Sequence, residues 1–436
     1  MRVGRGVVLL ASAALAAGAN ASHAGGRPAP AGWWVGSWAS SQQVPEDDKL
    51  LTPESLTGAT LRQIVHLSAG GPRIRVRVSN AFGTTPLHLK DVHVAKPVGS
   101  ATSRVDSATD RALTFNQRPD VLIPAGAEYV SDPLDYPVAP LSDLTISMRI
   151  ASAPQSQTGH PGSRTTSYLI KEVPPAAAEL EGAQTFDHWY FLSGVDVASP
   201  NRGAAVVVLG DSITDGRCST TNGNDRWTDD LARRLQGNAA PLGAGAGRRV
   251  GAARARRDKP IRGVSVLNAG IGGNRLLNDG LGPNALARFD RDVLGQTGVR
   301  YLLVLEGVND LGTLPRSAAV TDAQHEELVL RMISAYREIV SRARSHGITV
   351  VGGTILPWLG ATAYKPDSAN ETDRQLVNAW IRTPGNFDVV VDFDRLMSDP
   401  AHPGALNPQF DCGDHLHPSP EGYRAMAAAV PLNLLN

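Results

Sequence analysis

The chemistry open to this sequence begins with one serine. Gly210-Asp211-Ser212-Ile213-Thr214-Asp215-Gly216 follows the apolar run Ala204 to Leu209. A serine directly after a buried strand, at the start of a helix, is well placed as a nucleophile, because helix amides and the helix dipole stabilise negative charge beside it. Asp411-Cys412-Gly413-Asp414-His415-Leu416-His417-Pro418 supplies a base and an acid. A histidine that takes a proton from serine needs a carboxylate to fix its tautomer and balance its charge. Asp414 and His417, three apart in a tight turn, can meet within one loop. His415 is the rival base and Asp411 the rival acid. If the segment is partly extended, the side chain of His415 points away from that of His417.

Two further loops offer hydrogen-bond donors. Asn268-Ala269-Gly270-Ile271-Gly272-Gly273-Asn274 follows the run Val264 to Leu267. Its glycines let a backbone amide approach a ligand closely. Gly307-Val308-Asn309-Asp310 follows Tyr301 to Leu305 and brings a side-chain amide. Each loop alone serves equally well as a turn or a helix cap. Three polar loops after three successive strands can together assemble an oxyanion hole.

The elements that must position them follow from periodicity. Ala204 to Leu209, Val264 to Leu267, Tyr301 to Leu305, Ile348 to Val351 and Val389 to Phe393 are continuous apolar runs, as in strands covered on both faces. Helical stretches alternate with them. The clearest is Asp322 to Ser345, with Thr321 and Gln324 at capping-box spacing and Gly347 as its stop. Alternating strands and helices predict an α/β domain with a parallel, doubly wound sheet of flavodoxin-like order. The site of such a sheet lies beyond the carboxyl ends of its strands.

Before residue 200 the texture differs. Ile74 to Val78 and Leu144 to Ile150 alternate apolar with polar residues, the period of a half-buried strand, and turn residues separate such runs. An all-β sandwich of jelly-roll type is expected over 32–199, its last strand running from His188 to Val197. Ser199-Pro200-Asn201-Arg202-Gly203 is the joint, and the α/β domain spans 203–436.

Arg2, Arg5, the apolar run Val7 to Ala17 and Ala19-Asn20-Ala21 read as an export signal over 1–21, followed by a Pro/Gly-rich leader over 22–31. The run is shorter than the ~20 residues that cross a bilayer. Lys+Arg and Asp+Glu each count 42 over the 436 residues, so no global field argues for nucleic acid or an anionic membrane as partner. Gly237 to Arg262 is Arg-rich but has no interleaved aromatic residues, and it reads as a solvated insertion. No metal-ligand spacing is present, no cofactor is called for, and a monomer is expected.

Gly210-Asp211-Ser212-Ile213, the Gly273 loop, Gly307-Val308-Asn309-Asp310 and Asp414-His415-Leu416-His417 match, in order, the four blocks of the SGNH or GDSL hydrolases. From about residue 204 onward the chain resembles that family, with isoleucine in place of the leucine in the family's name. The resemblance implies Ser212 as nucleophile, Asp414 as acid and His417 as base. It implies an oxyanion hole from the amides of Ser212 and Gly273 and the side chain of Asn309. Trp38-Ala39-Ser40-Ser41-Gln42 and Ser79-Asn80-Ala81-Phe82-Gly83 resemble a β-domain that precedes the hydrolase in a secreted bacterial subgroup, some of whose members resemble xylan acetylesterases. That implies a small-molecule or polysaccharide ester as substrate, with carbohydrate deacetylation first. A lipid or small aromatic ester, or an inactive glycan-binding role, are the alternatives. Trp227 and Trp358 follow the first and fourth strands and fit either a sugar site or ordinary packing. If Ser212 meets His417, Cys218 and Cys412 are drawn to one rim of the sheet. In an exported protein they are then expected to form a disulfide.

Overall fold

The alternating runs form antiparallel strands in a computed structural model, which describes residues 32–199, 202–237, 263–314 and 320–435. The expected signal peptide and leader, the middle of the joint and the Arg-rich segment beyond Gly237 lie outside the described residues. In chain order the antiparallel strands are β1 (Trp33–Ala39), β2 (Ala59–Leu67), β3 (Gly71–Ser79), β4 (Leu87–Pro97), β5 (Val105–Ala112), β6 (Asp120–Ile123) and β7 (Glu128–Val130). They continue with β8 (Leu134–Val138), β9 (Ser142–Ser152), β10 (Gly159–Pro161), β11 (Ser167–Lys171), β12 (Gln184–Phe186), β13 (His188–Tyr190) and β14 (Leu192–Ser199). In β3 the side chains of Ile74, Val76 and Val78 are buried, while Arg73, Arg75 and Arg77 alternate with them on the other face.

One antiparallel sheet runs β1-β14-β3-β7, with β8 also on β3; a second runs β12-β11-β2-β9-β4-β5, with β6 also on β4. Strands β10 and β13 pair by themselves. The continuous last strand expected from His188 to Val197 is broken at Phe191, whose φ is 60°. This left-handed turn lets β13 pair with β10 while β14 lies between β1 and β3. The buried Phe191 ring fills the corner.

The continuous apolar runs form β15 (Ala204–Gly210), β16 (Val264–Gly270), β17 (Val299–Leu305), β18 (Thr349–Gly353) and β19 (Val389–Val391). All pair in parallel in the order β16-β15-β17-β18-β19, the flavodoxin-like arrangement expected. β19 ends before Phe393 because Asp392 caps the helix Phe393–Met397, accepting from the Arg395 amide. The helix Asp322–Ser345 begins with the expected Thr321/Gln324 capping box and buries Leu328, Met332, Tyr336, Ile339 and Val340.

Strand order reverses at β15, which has β16 on one side and β17 on the other. Loops that leave β15 and β17 therefore diverge and open a crevice at the carboxyl edge. The antiparallel part is bonded to the parallel part: the Gly36 amide donates to the Thr297 carbonyl at 2.9 Å, and the Val266 amide to Ser68 Oγ at 3.0 Å. Buried side chains from both parts join one apolar core.

Candidate active site

Ser212 is set by a sharp change from strand to helix. Asp211 caps the helix Ser212–Asp215, its carboxylate accepting from the Ile213 amide at 2.9 Å. Close backbone approach demands glycine on both flanking strands. A Cβ on Gly210 would stand 2.3 Å from Thr214 Oγ1, and one on Gly270 2.3 Å from the Asp215 nitrogen. The turn thus rests against the ends of β15 and β16 with no side chain between.

Ser212 Oγ lies 2.8 Å from His417 Nε2, and His417 Nδ1 lies 2.6 Å from Asp414 Oδ2. A carboxylate can only accept, so Nδ1 carries the hydrogen and Nε2 is left to accept from the serine hydroxyl. Asp414 Oδ1 also takes the His417 and Leu416 amides, at 2.8 and 3.0 Å. Burial pushes the Asp414 carboxyl up, but the bonds from the His417 ring and amide outweigh it and hold the group well below the usual carboxylate range. The loop is fastened to the serine side by a Cys218–Cys412 disulfide with a Cα separation of 6.3 Å.

The donor side is built from the β16 and β17 loops. Asn309, in the helix Val308–Gly312, is buried and donates from Nδ2 to the Asn274 carbonyl at 2.7 Å. Its Oδ1 accepts from the Tyr364 hydroxyl. Asp310 takes the Leu276 and Leu277 amides at 2.8 and 3.0 Å, which ties the loop after Gly273 to the end of β17. Gly273 has φ +70°, and Leu281 lies against it with 45% of its surface exposed.

Behind these loops stands Arg288, fully buried. Nη2 donates to the Gly210 carbonyl at 3.0 Å, Nη1 to the Ala269 carbonyl at 2.7 Å and to Ser41 Oγ at 3.0 Å, and Nε to Asn274 Oδ1 at 2.9 Å. It pairs with Asp292 at 3.0 Å and faces Glu306 at 3.8 Å. Burial pushes Asp211 up to about 7 and Asp310 up to about 6, each partly offset by the amides it accepts. Burial, with the Asp211 charge added, drives Glu306 well above the carboxylate range; neither of its oxygens has a hydrogen-bond partner. Burial thus favours the protonated form of Glu306, against the opposing pull of Arg288 at 3.8 Å.

Among the described residues, the groups close enough to share a metal are Cys218, Asp414 and His417, and Asp411, Cys412 and Asp414. Each includes a sulfur engaged in the disulfide, which cannot act as a thiolate ligand.

Residues 208–425 match the GDSL-like lipase/acylhydrolase family. The chain belongs to this family. It is a carboxylic ester hydrolase. A comparison with curated proteins returns no match. Solved structures similar to it include a GDSL-like lipase from Bacteroides thetaiotaomicron, 19% identical, covering 52% of this chain and 84% of that one, with a TM-score of 0.35. An acetylxylan esterase from Geobacillus stearothermophilus, solved as a catalytic mutant, is 19% identical over 52% of this chain and 93% of that one, with a TM-score of 0.35. A further acetyl xylan esterase is 18% identical over 52% of this chain and 96% of that one, also with a TM-score of 0.35.

Within this GDSL-like hydrolase, the structure brings Ser212, His417 and Asp414 into one hydrogen-bonded line. It does not bring His415 there. His415 has φ 60°, is half exposed, and pairs with Asp411 at 2.7 Å. Trp227 and Trp358 are corrections to any sugar-site reading: both are fully buried, Trp227 against Phe393 and Trp358 against Tyr364. The Trp38–Gln42 motif is also buried. Ser41 accepts from Arg288, and its carbonyl bonds to His160, which reaches Asp215 at 2.8 Å. Sequence reasoning missed Arg288 and Tyr364. Arg288 stands four before Asp292, a spacing that reads as a solvated helical pair. Nothing around Tyr364 marks it.

Proposed function

We propose that Ser212, His417 and Asp414 form the nucleophile, base and acid of an ester-hydrolysing relay. The observation that carries this is the unbroken path from Ser212 Oγ through His417 to Asp414, with contacts of 2.8 and 2.6 Å. His417 Nε2 takes the proton as Ser212 Oγ attacks the ester carbonyl, and Asp414 balances the imidazolium. The tetrahedral oxyanion rests among the amides of Ser212 and Gly273 and the second Nδ2 hydrogen of Asn309. His417 then gives its proton to the leaving alcohol. Water, activated by the same nitrogen, releases the carboxylic acid and restores the serine.

The finer form of the proposal is deacetylation of a carbohydrate. Its support is the resemblance of the segments 38–42 and 79–83 to the β-domain of a secreted subgroup. Export over the segment 1–21 belongs to the same reading, and the Cys218–Cys412 disulfide supports it. Among the described residues no helix is long and apolar enough to cross a membrane. A second reading, a lipid or small aromatic ester, is favoured by Leu281, an exposed apolar side chain beside Gly273 that offers an acyl contact. The purified protein should be assayed on acetylated xylan and on p-nitrophenyl esters of increasing chain length. Acetate release from xylan, with kcat/KM highest for the acetyl ester, is expected. A steady rise toward decanoyl esters selects the second reading, and labelling of a residue other than Ser212 by a fluorophosphonate rejects the relay.

A further inference from the structure

We propose that Tyr364 is a positioning residue for the oxyanion hole: its hydroxyl fixes the Asn309 amide so that Nδ2 faces the reacting oxygen. The inference rests on the relay proposed above. A carboxamide is nearly symmetric in shape, yet one edge donates and the other accepts. Turned over, Asn309 would present an acceptor to a developing oxyanion and repel it. Two contacts hold the useful orientation. The Asn274 carbonyl, which can only accept, takes one Nδ2 hydrogen at 2.7 Å. The Tyr364 hydroxyl donates to Oδ1 on the opposite edge. A donor on Oδ1 also draws electron density through the amide and strengthens the remaining N–H as a donor.

The tyrosine is itself held. Its ring lies over Gly312, at the end of the Asn309 helix, where a Cβ would stand 2.5 Å from ring Cγ. The ring also packs at a tilt against Trp358, with ring centroids 6.1 Å apart. The segment carrying it is tied down, since Trp358 and Leu359 both donate to the Gly404 carbonyl at 2.9 Å and Lys365 donates to Ala361 at 2.8 Å. The same segment reaches the base loop, for the Thr362 amide donates to the Asp414 carbonyl at 3.2 Å. One brace, residues 358–364, therefore spans from the oxyanion side to the acid, and Tyr364 is its contact with the oxyanion donor.

The test is Tyr364→Phe in the full chain, which removes one oxygen and keeps the ring. With p-nitrophenyl acetate, kcat should fall about tenfold or more while KM changes little, since the contact acts on charge that develops in the transition state. Binding of a phenylboronic acid, whose serine adduct is a tetrahedral anion, should weaken by a similar factor. Asn309→Ala should lose about a hundredfold or more, and adding Tyr364→Phe to it should cost nothing further. Unchanged kcat and boronate affinity in Tyr364→Phe overturn the inference. So do losses that multiply in the double variant, which would mark a general structural role. If Ser212→Ala keeps its activity, the relay itself is wrong; if Ser212→Ala is inactive and Tyr364→Phe is not impaired, only the role of Tyr364 falls.

Discussion

Arg288 Nη2 donates to the Gly210 carbonyl at 3.0 Å, two residues before Ser212. The same guanidinium reaches the end of β16, the Asn274 side chain and Ser41 of the antiparallel part. It joins the nucleophile strand, the loop after Gly273 and the antiparallel part at one buried charge. The antiparallel part thus helps to shape the ground under the site.

Arg288→Met should therefore destabilise the whole chain. The buried Asp292 would keep only Arg291 as a cationic partner, and four acceptors would lose a donor. Breaking a buried pair from one side typically costs about 3–5 kcal/mol. Urea unfolding followed by tryptophan fluorescence measures it; a loss under about 1 kcal/mol would show that Arg288 is not a structural hub. Arg288→Lys should rescue only in part, because an ammonium cannot reproduce the planar fork.

Ser212→Ala and His417→Ala should each lower kcat by about 10⁴-fold or more while the melting temperature stays near that of the parent. His415→Ala should keep most of the activity, since His415 points to Asp411 and is half exposed. A larger loss in His415→Ala than in His417→Ala would reassign the base.

The buried carboxylates under the site set a pH dependence of stability. Asp211 and Asp310 are raised to about 7 and about 6, and Glu306 is raised well above its ordinary value. Between about pH 4 and pH 7 the fold then binds more protons than the unfolded chain, so these groups make stability fall as pH rises through that window. Asp414 acts in the opposite sense: its contribution is present above about pH 4 and is lost on further acidification. Glu306→Gln removes one of the raised groups. Its urea midpoint should fall less between about pH 4.5 and about pH 7.5 than the parent's. Equal slopes would mean that Glu306 does not hold a proton in the fold.

The Cys218–Cys412 bridge closes a separation of 194 residues. In the chain-entropy model a loop of that length stabilises by roughly 5 kcal/mol, and native strain commonly lowers the measured effect. Replacing both cysteines by alanine should lower the melting temperature. It should also lower kcat, because the base loop can then drift from Ser212, where small misplacements are costly. Two titratable thiols in the unreduced, denatured protein would show that the bridge does not form.

Much of the architecture is legible in the sequence because it rests on local periodicity. Continuous apolar runs announced the five parallel strands, and alternation announced the antiparallel ones. The Thr321/Gln324 cap and the Gly347 stop bounded the long helix for the same reason: cap partners lie within one turn. Asp414 and His417 could be paired on paper since three residues in a tight turn fix their approach. Phe191 could not be read as a break, because its left-handed turn is imposed by strands that pair on either side of it. Trp227 and Trp358 carry no mark of depth, as the same ring suits a core or a binding face; only packing buried them. Arg288 meets Gly210 across 78 residues, and Tyr364 meets Asn309 across 55. No period of 2 or 3.6 reaches so far. Such partners are chosen by how the sheet order and its loops fold together, because desolvated donors and acceptors must satisfy one another wherever the chain has brought them.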